Sequence, residues 1–92
     1  MENVKLLVDE MYDGLDEKLK ELGYKAYSVK KLKKEGKKME TDFSVISHAQ
    51  KEGLTLVTQD GENIKGCIEN NLPLIAIEID DVLKIVLEKI KK

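Results

Sequence analysis

Apolar residues along the chain alternate between two patterns. Residues 4–8, 54–58 and 74–77 are apolar or β-branched almost throughout, and residues 26–29 form a weaker fourth run suited to an edge. Short runs of that kind predict strands buried on both faces, as in a parallel sheet. Between them the apolar positions take a helical period. Leu15, Leu19 and Leu22 recur at i, i+4 and i+7, which predicts a helix over residues 12–22 that Gly23 stops. Thr41 or Asp42 caps a second helix running to residue 52, with Phe43, Ile46, Ala49 and Gln50 on one face and Gly53 as its stop. Residues 63–70 read as a short helical or irregular stretch, and Pro73 introduces the fourth strand. A last helix opens at Asp80 and Asp81 and carries Val82, Leu83, Val86, Leu87 and Ile90. Lys84, Lys89, Lys91 and Lys92 gather toward its end, which suits the helix dipole. Its wide apolar face reads as core packing, with a homodimer contact as the alternative.

Strand and helix alternate four times. That order predicts an α/β fold: a three-layer sandwich whose central parallel sheet has four strands, in one domain over residues 1–92. The expected strand order is 2-1-3-4, with the topological switch point between the first and third strands. Ligands of such sheets bind beyond the carboxyl ends of the strands at that point.

Charge adds a second layer. Among 92 residues the net charge is −2, and all 16 basic residues are lysine. Without arginine, no bidentate guanidinium clamp on phosphate is available. Residues 30–38 hold six Lys and one Glu, a local +5, so the rest of the chain carries −7. This run reads as a loop, and Lys30, Lys31, Lys33, Lys34, Lys37 and Lys38 are its candidates for contact with an RNA backbone. No aromatic residue interrupts it, so base stacking there is unsupported. The composition excludes collagen, low-complexity disorder and a disulfide scaffold. The single cysteine, Cys67, reads as a small buried apolar residue and suggests a reducing compartment. No apolar run approaches the ~18 residues of a membrane span. The first residues lack the features of a signal peptide. The expectation is a cytoplasmic protein with no membrane partner.

The acidic residues are the sharpest chemical signal. Asp9 and Glu10 follow the first strand; Asp60, with Glu62 two residues on, follows the third. Asp42 opens the helix that leads into the third strand, so it also lies at the strands' carboxyl end. Three segments thus deliver carboxylates to one corner. Converging carboxylates repel, and a cation among them relieves the repulsion. Hard oxygen ligands without His or Cys select Mg²⁺ or Mn²⁺. Metal-assisted hydrolysis is the chemistry such a corner suits.

These residues carry a resemblance. Leu7-Val8-Asp9-Glu10, Glu21-Leu22-Gly23-Tyr24, Thr41-Asp42 and the run from Glu52-Gly53 through Leu56-Val57-Thr58-Gln59-Asp60 are similar to the PIN-like nuclease superfamily, in its short bacterial and archaeal branch. The match covers residues 4–78. It implies a metal-dependent ribonuclease, often the toxin of a toxin–antitoxin pair with an antitoxin protein as partner. Asp9, Asp42 and Asp60 match the family's acidic positions as catalytic and metal-binding residues, with Glu10 and Glu62 as further metal-site acids. The chain departs from the pattern in two places. After the third strand it reads Asp60-Gly61-Glu62-Asn63 where a Phe is common, and its pattern predicts no fifth strand. Two other classes compete: a non-catalytic PIN-like module that binds RNA or protein, and a receiver-like phospho-acceptor domain. The latter needs a lysine after a fifth strand.

Overall fold

The computed structural model describes residues 4–91. β1 (Lys5–Val8) lies inside a four-stranded parallel sheet, between β2 (Lys25–Ser28) and β3 (Thr55–Thr58). β4 (Leu74–Ala76) pairs with β3 and completes the order β2-β1-β3-β4, as the alternating pattern predicts. Alternate side chains of each strand enter different cores. Leu7 and Leu56 pack with residues of α2 (Val29–Lys34), α3 (Asp42–Glu52) and α4 (Gly61–Glu69). Leu6, Val8, Ala26 and Val57 face the other way, under Leu15 and Leu19 of α1 (Leu15–Glu21). Cys67 is fully buried in the first core, as expected, and burial pushes its thiol pKa up. Gly66 lets α4 approach α3, because a methyl there would overlap the Ile46 side chain.

Several expectations need correction. The lysine run is not all loop: residues 29–34 form α2. The Ser28 hydroxyl caps it by accepting the Lys31 N–H at 3.3 Å, and Val29 and Leu32 bury one face. Helical structure between the first two strands begins differently from the expected residues 12–22. A short 3₁₀ turn (Glu10–Tyr12) comes first, and Gly14, at φ 103°, breaks the chain before α1. Leu22 lies beyond α1 and is 75% exposed, while the fully buried residue of α1 is Asp16. On α3 the packed residues are Val45, Ile46 and Ala49; Phe43 and Gln50 point outward. The cap of α3 is Thr41, which forms a reciprocal capping box with Ser44, and Asp42 is the first-turn acid.

The largest departure is α5 (Ile79–Ile90). It contains no buried residue, so its apolar face is not core packing. Ile77 and Glu78 link it to β4, and among the described residues the helix packs closely against no other element. Among the described residues, no helix is long and apolar enough to cross a membrane.

Candidate functional site

Asp9 directly follows β1 and is 7% exposed. Its N–H extends the sheet ladder to the Val57 carbonyl at 3.0 Å. Its carboxylate then closes the 3₁₀ turn, with Oδ1 accepting the Glu10 N–H at 2.9 Å. Oδ2 accepts the Thr58 hydroxyl at 2.6 Å and the Asn63 side-chain amide at 2.8 Å. These three donors compensate a buried carboxylate for the water it has lost. Thr58 ends β3 and is fully buried. Its hydroxyl also accepts the Asp60 N–H at 3.0 Å, so one oxygen joins the segments that carry Asp9 and Asp60. Asp60 caps α4 by accepting the Glu62 N–H at 3.2 Å.

Asn63 is buried, and its Oδ1 has no hydrogen-bond partner among the described residues. The amide orientation is set by charge, because turning it over would place its oxygen against the Asp9 carboxylate. The free oxygen is therefore an acceptor held beside the acidic corner.

Asp42 comes from α3 and is exposed. Partial loss of water, and then the charges of Asp60, Asp9 and Glu62, raise its pKa. The three segments that the sequence predicts to converge thus act on one another electrostatically. Asp42 and Glu62 also line a single cavity of ≈ 300 Å³ where α3 meets α4. Glu10 is turned away toward α2, where its Oε1 meets Lys33 Nζ at 2.6 Å. That hydrogen bond raises the Lys33 pKa, with Glu40 and Asp9 adding to it against a smaller effect of lost water.

The donor chemistry fits a hard divalent cation: carboxylate oxygens with one neutral amide oxygen beside them. The spacing is more open. Among the described residues, no group of three or more His, Cys, Asp or Glu side chains stands close enough together to hold an ion. Asp42 and Glu62 are exposed, whereas Asp9 is fixed by its three donors.

The lysines divide into two sets. Lys31 and Lys33 are held in ion pairs: Lys31 Nζ lies 2.7 Å from Asp16 and 2.9 Å from Glu17, and Lys33 pairs with Glu10. Lys30, Lys34, Lys37 and Lys38 are exposed. Lys37 joins Lys5, His48 and Lys51 around a cavity of ≈ 310 Å³ that Tyr27, Leu32 and Leu54 floor, with Glu52 its one acid. This cavity lies where α3 ends and β3 begins, away from the α3 N-terminus that carries Asp42.

Sequence reasoning missed Thr58 and Asn63. Thr58 stands inside the Leu-Val-Thr-Gln-Asp motif but reads there as a strand residue; nothing local marks Asn63. It also missed the grouping of Lys5 and Lys51 with Lys37, which depends on packing between distant segments.

No family model, curated protein or solved structure matches the chain.

Proposed function

We propose that the chain is a PIN-like, divalent-cation-dependent ribonuclease whose site is the acidic corner at the carboxyl ends of β1 and β3. The observation that carries this reading is the placement of Asp9 and Asp60 directly after the neighbouring strands β1 and β3 at the switch point, with Asp42 near enough that lost water and then the charges of Asp60, Asp9 and Glu62 raise its pKa. Asp9, Asp42 and Asp60 would hold Mg²⁺ or Mn²⁺, with Glu62 and the free Asn63 oxygen at the margin. When bound, such a cation supplies Lewis acidity toward a phosphodiester and lowers the pKa of a water. Asp9 acts as the rigid anchor, fixed from β1, β3 and α4 together. Glu10 serves Lys33 in this structure, so its part is to position α2 against the corner. The exposed Lys30, Lys34 and Lys38 attract the RNA backbone toward the corner, and the exposed Lys37 extends the basic surface at the far end of α3. A role as the toxin of a toxin–antitoxin pair, with an antitoxin partner, belongs to the same reading.

A second reading, a non-catalytic PIN-like binding module, is favoured by one observation: the carboxylates stand too far apart to share an ion as they are placed. The receiver-like reading is weaker, because the described sheet has four strands and no fifth to carry the required lysine.

Melting curves with Mn²⁺ separate the first two. Binding to the folded state alone raises the melting temperature by mass action. Asp60→Asn is the clean variant, since asparagine caps a helix as well as aspartate but brings no charge. The proposal expects a Mn²⁺-dependent rise in the wild type and its loss in Asp60→Asn. Equal curves with and without Mn²⁺ in the wild type would leave the non-catalytic module.

A further inference from the structure

We infer that α5 is the interface of a homodimer, in which the helices of two copies pack antiparallel across a two-fold axis. α5 leaves Ile79 79%, Leu83 52%, Val86 46% and Ile90 72% exposed. These four recur at intervals of four, three and four residues, the spacing of a seam between two packed helices. Leu87 widens the same face, and Ile85 is also half exposed. A helix of this composition in water leaves a large apolar area unburied, and among the described residues no other element covers it. Five aliphatic side chains on one face, each exposed by about half or more, exceed what scattered surface residues account for.

Charge selects a second copy as the occupant and sets its direction. Glu78, Asp80 and Asp81 crowd the start of α5, and at its end Lys89 and Lys91 outweigh Glu88. An antiparallel copy places each acidic end against a basic end and opposes the two helix dipoles. A parallel copy sets like charges together. The face is therefore complementary to itself in one orientation, as a two-fold interface requires.

Sedimentation equilibrium on the whole chain tests this. The wild type should show twice the mass of one chain at about 100 μM. Leu83→Glu, at the middle of the seam, should show the mass of one chain. Its circular dichroism melt should keep the main transition, because α5 buries nothing in either core. Asp80→Lys reports the orientation, with Asp81 kept because its carboxylate accepts the Glu78 N–H in the capping box of α5. In an antiparallel pair it sets lysine against Lys89 and Lys91 and should weaken association at least tenfold, whereas a parallel pair only exchanges one like-charge contact for another. A wild type of single mass, a Leu83→Glu protein of double mass, or an unweakened charge variant would each overturn the inference.

Discussion

The Thr58 hydroxyl donates to Asp9 Oδ2 at 2.6 Å, although 49 residues separate the two in sequence. Because the same oxygen accepts the Asp60 N–H at 3.0 Å, Thr58 aligns the ends of β1 and β3 and fixes the relation between two acids of the site. Thr58→Val keeps the shape of the side chain but leaves Asp9 one donor short and the Asp60 N–H without its acceptor. A loss of about 1–3 kcal/mol is expected from urea unfolding. An unchanged midpoint would mean that the hydroxyl aligns nothing.

Asp16 and Lys31 predict a pH dependence. Burial of Asp16 opposes its charge, but the Lys31 ammonium and the Gly14 N–H outweigh this and hold its pKa below 3.8. A lowered carboxylate stabilises the fold above its unfolded pKa and loses that contribution as pH falls through the folded value. Lys31 is raised above 10.5, chiefly by its hydrogen bonds to Asp16 and Glu17. Its contribution is complete below the unfolded pKa and is lost only as pH rises through the folded one. Asp16→Asn should therefore lower stability near neutrality and flatten the acid limb of the stability curve below about pH 4. Measurement by urea unfolding across pH checks it; parallel curves for the two proteins would contradict it.

The lysines separate by structural role. Lys31 and Lys33 hold α2 to the acidic side of the molecule, so replacing them perturbs the fold as well as the charge. Lys30, Lys34, Lys37 and Lys38 are exposed and can be changed together. Conversion of these four to Gln should weaken RNA binding and flatten its dependence on salt, since fewer counterions are released. The Mn²⁺ effect on melting should persist. A salt slope equal to that of the wild type would assign these lysines to solvation alone.

The sheet is legible in the sequence because each strand is a short apolar run and the helices before β2 and β3 each meet a glycine stop. Gly23 and Gly53, both at positive φ, follow the helices they end. α2 is hidden because lysine crowds out its apolar signal, leaving only Val29 and Leu32 with a Ser28 cap to mark it. The acids at the strand ends are legible from topology. The groups that hold Asp9 are not, because Thr58 and Asn63 reach it only through tertiary packing. The fate of α5 is illegible for another reason: an amphipathic stripe states that a face will be covered, not by which chain.

Cleavage of a labelled RNA in Mn²⁺, by the wild type and by Asp60→Asn, tests the central claim most directly. The acidic corner predicts metal-dependent cleavage by the wild type, abolished by chelation, and a rate lowered at least about 100-fold in Asp60→Asn, whose helix cap and fold are retained. RNA left intact by the folded wild type in Mn²⁺ and in Mg²⁺, or cleaved equally well by Asp60→Asn, would contradict it.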